Sequence, residues 1–240
     1  NGRVQLELGG HNPCIVFGDA DLDVAVAGVV NGAMGATGQK CTATRRIIAV
    51  GGVHDELVDR LAAAVTSLQV GDGQNPETAI GPLVSAGARA EVTEAVHQAQ
   101  AEGAETIAVT EGTPDGPCYF APTLLAGGAD LTITREEVFG PVSTVMRVDD
   151  VDEAFTLAND TEFGLSASVY TDDPWIVDRA LHELRAGLIK VNGPTTGSEI
   201  HAPFGGEKHS SGHAPREQGD TAQEFFTRTR TAYVKPGRPR

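Results

Sequence analysis

Apolar and polar residues alternate between two periods along this chain, and each change of period marks a change of element. Val4-Gln-Leu-Glu-Leu8 alternates strictly, which predicts a strand with Val4, Leu6 and Leu8 on one face and Gln5 and Glu7 on the other. Gly9-Gly10 stops it. Cys14-Ile-Val-Phe17 is an unbroken apolar run, the pattern of a short strand buried on both faces. Beyond the acidic segment Asp19 to Asp23, the residues Leu22, Val26, Val29, Val30 and Ala33 fall at helical spacing. Arg46 to Val50 predicts a strand, and Leu57, Leu61, Val65 and Leu68 predict a helix. Ala88, Val92, Ala95, Val96 and Ala99 mark another helix, stopped by Gly103. Thr106 to Val109 is strand-like and leads into a Gly/Pro-rich loop through Pro117.

The second half repeats this rhythm. Val142 to Met146 predicts a strand, and Asp150 with Glu153 forms a capping-box start for a helix carrying Val151, Ala154, Phe155 and Ala158. Ser166 to Tyr170 predicts a strand. Pro174 behind Asp173 opens a helix with Ile176, Val177, Ala180, Leu181 and Leu184, ended by Gly187. Leu188 to Val191 is the next strand. After Asn192 the pattern dissolves into Gly, Pro, Ser and His loops, with a short helix around Gln218 to Phe226 and a terminal strand over Thr229 to Val234. Strands alternating with helices at this pace imply an α/β domain with a doubly wound, largely parallel sheet.

Composition narrows the function classes. The chain has 240 residues and a formal charge of −15, which argues against a nucleic-acid or anionic-membrane partner and fits a soluble cytoplasmic protein. Cys14, Cys41 and Cys118 are odd in number and lack metal-ligand spacing, so neither a disulfide framework nor a zinc site is indicated. No apolar run approaches membrane-spanning length. The chain opens Asn1-Gly-Arg-Val-Gln-Leu-Glu7, without a Met and directly on a strand pattern, and is expected to be a piece of something longer.

The candidate chemistry centres on Gly35-Ala-Thr-Gly-Gln-Lys-Cys-Thr-Ala-Thr-Arg45. Here Cys41 lies at a glycine-permitted turn between a helix and a strand, where a thiol can be exposed near backbone N–H groups. Read alone, Cys41 fits a small buried hydrophobe better than a reactive thiol. Other unusual loops hold polar groups beyond the strand ends: Glu7-Leu-Gly-Gly10, Glu136-Glu-Val-Phe-Gly-Pro141 and Pro203-Phe-Gly-Gly-Glu-Lys208.

Together, in this order and spacing, these motifs resemble the aldehyde dehydrogenase superfamily over essentially the whole chain. The resemblance implies that Cys41 is the nucleophile and Glu7 the general base. It implies that Glu137 and Phe139, with Leu8 and Gly9, meet the nicotinamide end of NAD or NADP. Lys40, Thr42 and Phe204 would border the aldehyde substrate. A thiolate suits an aldehyde carbon, a carboxylate of raised pKa can activate water, and the backbone N–H of Cys41 is the oxyanion donor within this chain. The resemblance also implies that residues 1–227 are a catalytic domain and 228–240 an oligomerisation strand and tail. The dinucleotide-binding domain and a second oxyanion donor would then lie upstream of residue 1. On that footing the full protein is a homodimer or homotetramer, and the isolated fragment is inactive. The segment Gly81-Pro-Leu-Val-Ser-Ala-Gly-Ala-Arg89 lacks the polar residues that many members place against the adenine ribose. Lys208-His-Ser-Ser-Gly212, Arg216-Glu-Gln-Gly219 and Gln223-Glu-Phe-Phe226 look most like the 2-oxoglutarate semialdehyde branch, with another semialdehyde or an aliphatic aldehyde still open.

The remaining candidates read as structural. Cys14 is expected in the core, Cys118 half-buried, Glu136 solvated and Trp175 a packing anchor. His201, His209 and His213 are expected to line loops, with no resident metal. A cofactor-independent cysteine hydrolase using Cys41 and Glu7, and a non-catalytic interaction module pairing through its terminal strand, remain as alternatives.

Overall fold

The computed structural model describes residues 2–212 and 214–237. Its elements in chain order are β1 (Asn12–Val16), α1 (Leu22–Met34), β2 (Thr44–Val50), α2 (His54–Thr66), α3 (Ala86–Ala101), β3 (Glu105–Val109), β4 (Thr123–Ala126) and β5 (Val142–Val148). They continue with α4 (Val151–Asn159), β6 (Phe163–Gly164), β7 (Ser166–Tyr170), α5 (Pro174–Glu183), β8 (Leu188–Val191), β9 (Glu207–Lys208) and α6 (Gly219–Phe226). Seven strands form one sheet in the order β3-β4-β5-β2-β1-β7-β8, parallel throughout except where β3 runs antiparallel to β4.

The apolar runs are explained by burial on both faces of the sheet. Cys14, Val16, Ile47, Ala49 and Val145 point to the side covered by α1 and α2, where Val29, Ala33, Leu57 and Leu61 pack. Ile15, Phe17, Ile48, Met146 and Val169 point to the other side, against Phe155 and Ala158 of α4 and Ile176 and Ala180 of α5. Helix α3 covers Leu125 and Val142 at the β4–β5 end. The helix starts are capped as the sequence predicts. Asp150 accepts from Glu153 N while Glu153 accepts from Asp149 N, and Asp173 caps α5 with Pro174 in its first turn.

Four expectations need correcting. Val4–Leu8 is not a sheet strand. It crosses the amino edge of the sheet, where Glu7 bridges to Ser211, and Val4, Leu6 and Leu8 lie exposed. Helix α5 stops at Glu183, because Asn159 accepts from Arg185 N and donates to Glu183 O, drawing the chain out of the helix. Gly187 has a different purpose: a Cβ there would lie 1.8 Å from Gly205 O, so two backbones meet at that point. Residues 227–237 form no strand; this segment finds no pairing edge among the described residues of its own chain, and Tyr233 and Val234 are exposed. Trp175 is more than half exposed and packs through the Arg179 guanidinium, 5.0 Å from its ring, rather than as a buried anchor.

Candidate active site

Every strand from β4 to β8 across this sheet runs the same way, so their amino ends form one edge. The four loop motifs gather there. Gly9-Gly10 leads into β1, Gly38–Ala43 into β2 and Glu137–Pro141 into β5, and the segment 204–211 is pinned alongside by the β6–β9 pair. The usual rule for open parallel sheets places ligands at the carboxyl ends. Here the polar machinery occupies the opposite edge.

The Cys41 turn is tightly constrained. Ala36, Thr37 and Gly38 all adopt left-handed backbone conformations, with φ of 52°, 59° and 63°. For Ala and Thr this is strained and persists only if neighbours over-determine it. Those neighbours are visible: Thr37 Oγ1 donates to Gly81 O at 3.1 Å, and Gln39 Oε1 accepts from Val84 N at 2.8 Å. The segment 81–89 therefore buttresses the Cys41 turn. Gly38 has no room for a side chain, since a Cβ would lie 2.1 Å from Gly140 O. Buried Arg45 fastens the same junction, donating to Gly140 O at 2.6 Å and to Gly38 O. From the other side Asn12 Nδ2 donates to Cys41 O and Ala43 O, both at 2.8 Å, and its Oδ1 accepts from Ser166 N at 3.0 Å.

Cys41 itself is half-buried. Burial raises its thiol pKa, and the nearby Glu137 and Glu7 charges push it the same way. The backbone N–H groups of Cys41 and Thr42 oppose this by donating toward the sulfur. Cys14 is wholly buried, with its thiol pushed up to about 12, and is inert by comparison.

Glu137 and Glu7 flank this thiol. Glu137 Oε1 accepts from Gly10 N at 3.0 Å, and its other oxygen lies where a Cβ on Gly9 would be, so the Gly9-Gly10 turn is shaped to take the carboxylate. Burial raises its pKa, while the Gly10 N–H and the Arg45 charge lower it. Phe139 is exposed beside it, and both line a cleft of about 180 Å³ with Val92, Ile133 and Val138. Glu7 is held by Ser211 Oγ, which donates to Oε1 at 2.8 Å. Burial raises the Glu7 pKa most, Ser211 lowers it, the Glu217 charge raises it and Arg216 lowers it.

Of the residues singled out from sequence, Cys41, Glu7, Gly9 and Glu137 converge, and Phe139 and Leu8 lie exposed at the rim. Phe204 is half-buried, paired to Glu217 by backbone hydrogen bonds of 2.7 and 2.8 Å next to Gly205, which packs on Glu7. Lys40 is exposed; Thr42 is buried and presents its backbone N–H toward the thiol. Cys118 is half-buried, and Glu136, His201 and His209 are exposed. His213 lies outside the described residues, and no group of three or more potential metal ligands occurs among those described. Asn12, Arg45 and Ser211 were not anticipated. Two adjacent arginines entering an apolar strand at Arg45-Arg46 were the one available signal, since charges there need buried partners.

The sequence profile of the aldehyde dehydrogenase family matches residues 1–232, and the chain belongs to that family. Among curated relatives it is 44% identical over 237 residues to the alpha-ketoglutarate semialdehyde dehydrogenase of Haloferax volcanii, covering 96% of this chain and 48% of that protein. It is 38% identical over 239 residues to the alpha-ketoglutaric semialdehyde dehydrogenase of Bacillus subtilis, covering 98% of this chain and 49% of the relative. The solved structure of an NAD-dependent aldehyde dehydrogenase from Sinorhizobium meliloti superposes with a TM-score of 0.92 at 36% identity, over 99% of this chain and 47% of that one. The chain thus spans about half the length of the relatives it matches. Among the described residues no helix is long and apolar enough to cross a membrane.

Proposed function

We propose that this chain is the catalytic portion of an NAD- or NADP-dependent aldehyde dehydrogenase that converts an aldehyde to a carboxylic acid. The observation that carries this is the convergence of a half-buried thiol, Cys41, with two carboxylates of raised pKa, Glu7 and Glu137, on one edge of the sheet. Similarity to two 2-oxoglutarate (alpha-ketoglutarate) semialdehyde dehydrogenases favours that semialdehyde as substrate.

The residues present fit the nicotinamide end of the cofactor. Glu137, seated on Gly10 N, offers acceptor oxygens to ribose hydroxyls, exposed Phe139 offers a ring face, and Leu8 and Gly9 border them. When bound, the nicotinamide supplies the hydride acceptor.

Cys41 Sγ adds to the aldehyde carbon, and the N–H groups of Cys41 and Thr42 lie close enough to bear on the oxyanion that forms. Loss of hydride from that carbon leaves a thioester on Cys41. Glu7 then takes a proton from water as the water oxygen bonds to the acyl carbon. The carbon–sulfur bond breaks, releasing the carboxylic acid and the Cys41 thiolate. Overall, aldehyde, water and oxidised nicotinamide give acid, reduced nicotinamide and a proton.

Lys40, Thr42 and Phe204 border the substrate approach in this reading. Residues 228–240 serve assembly into a homodimer or homotetramer, residues 1–227 form the catalytic domain, and the protein is cytoplasmic. The fragment alone is inactive, because one end of a dinucleotide offers too few contacts to offset the cost of association. A hydrolase without cofactor is disfavoured by His11, the histidine nearest in sequence to Glu7. It is buried, held neutral with its pKa lowered to about 3, and engaged with Ile133 O.

The test is aldehyde oxidation by the full-length protein, with NAD and NADP supplied separately. Cys41→Ala should abolish reduced-nicotinamide formation while Cys14→Ala and Cys118→Ala retain most of it. Equal loss from either of the other two cysteines would defeat the assignment.

A further inference from the structure

The two oxygens of Glu7 have different surroundings. Oε1 accepts from Ser211 Oγ at 2.8 Å, and that hydroxyl in turn accepts from Gly206 N at 2.6 Å. The chain of donors runs one way: Gly206 N–H to Ser211 O–H to the carboxylate. Because an ionised carboxylate can only accept, the Ser211 hydroxyl directs its proton at Glu7 while its oxygen accepts from Gly206. Oε2 is buried and has no hydrogen-bond partner among the described residues. Glu7 lines a cavity of about 200 Å³ together with Gln5, Gly206, Ser211 and Arg216. Among the described residues the carboxylate therefore has one donor, the Ser211 hydroxyl, and its orientation depends on it.

We propose that Ser211 is a positioning residue for Glu7, fixing the carboxylate through Oε1 in the orientation and ionised state from which it takes a proton from the attacking water. The inference rests on the reading of Glu7 as general base. In the hydrolytic step the water proton passes to the Glu7 carboxylate and the water oxygen bonds to the acyl carbon. Ser211 holds Oε1 throughout and exchanges no proton. The charges facing Glu7 are Glu217, which disfavours its ionised form, Arg216, which favours it, and the more distant Cys41. The Ser211 hydroxyl adds to the Arg216 side of that balance, keeping Glu7 ionised at lower pH than its burial alone would permit.

The experiment uses the full-length enzyme with cofactor and rapid mixing across the pH range, separating the burst of reduced nicotinamide from the slower hydrolytic phase. Ser211→Ala should keep the burst and move the acid limb of the hydrolytic phase upward by about one pH unit. Ser211→Thr, which keeps a hydroxyl, should restore the wild-type limb. Ser211→Cys, close in size and a weaker donor, should give a smaller shift in the same direction and serves if the alanine variant does not fold. Glu7→Gln separates the two readings. If it arrests hydrolysis while Ser211→Ala, or Ser211→Cys in its place, leaves the limb unmoved, the role of Ser211 is refuted and that of Glu7 stands. If Glu7→Gln hydrolyses like wild type, both are refuted.

Discussion

Removing the Asn12 side chain should loosen the Cys41 turn and destabilise the fold. Asn12 is 1% exposed and joins the amino ends of three neighbouring strands through its side chain alone. In Asn12→Ala, the carbonyls of Cys41 and Ala43 lose donors at 2.8 Å and Ser166 N loses an acceptor at 3.0 Å. Each buried polar group left unpaired costs about 1–3 kcal/mol, and a water entering the space would recover part of that, so about 3–5 kcal/mol is expected. Against a typical domain stability of about 5–15 kcal/mol this is a large loss. Asn12→Asp should be no better, since it keeps the acceptor for Ser166 but sets a buried carboxylate against two carbonyl oxygens. Urea unfolding of the full-length protein measures the stability term. Iodoacetamide labelling under native conditions, mapped by mass spectrometry, measures the turn, and Cys41 should label several-fold faster once its carbonyl is released. A cost below about 1 kcal/mol with unchanged Cys41 labelling would show that Asn12 is replaceable and that Arg45 and Gly38 suffice to hold the turn.

Two further outcomes follow from the electrostatics. Glu137→Gln keeps an acceptor for Gly10 N but removes the charge that, after burial, does most to raise the Cys41 pKa, so Cys41 labelling at neutral pH should speed up; an unchanged or slower rate counts against charge coupling between them. His11 is held near 3 by burial, with the Arg46 and Arg45 charges adding to it, whereas the unfolded chain protonates near the ordinary value of 6.5. The stability His11 contributes is therefore complete above 6.5 and is lost as pH falls from there toward 3. His11→Gln should remove that dependence, narrowing the urea-stability gap to wild type by about 2 kcal/mol between about pH 7 and pH 5, and parallel pH curves would refute it.

How much of this was legible in the sequence depended on whether the deciding contacts were local. Cys14-Ile-Val-Phe17 and Arg46 to Val50 announce strands buried on both faces, because burial leaves no polar position to break the run. Helix starts were legible in Asp150 and Asp173, whose caps involve residues two to three positions on. Strand β4 gave no pattern: four residues set between Pro122 and Gly127-Gly128 become a strand only because β3 and β5 flank them. The reverse error occurred at Val4–Leu8, where a strict alternation found no sheet edge and settled for one bridge to Ser211.

The site divides along the same line. Cys41, Glu7 and Glu137 stand in short motifs, so the resemblance to a family could single them out. Asn12, Arg45 and Ser211 act on backbone atoms or side chains that only the fold brings near, as when Asn12 reaches Ser166 from the far side of the chain. What assembles the site is strand order. Because β5, β2 and β1 are adjacent and parallel, the loops that enter them lie side by side, and Glu137, Cys41 and the Gly9-Gly10 turn meet without touching in sequence. The pairing of β1 with β2 shifts register between Asn12 and Pro13, at the residue that clamps the Cys41 and Ala43 carbonyls. One residue of further slippage there would displace the Glu7 turn by about 3.3 Å relative to Cys41 and exchange the β1 side chains between the two packed faces of the sheet. The geometry of the candidate site and the packing of both cores are therefore set by one register, and the side-chain shapes that fit β1 to its two faces also keep the thiol beside its carboxylates.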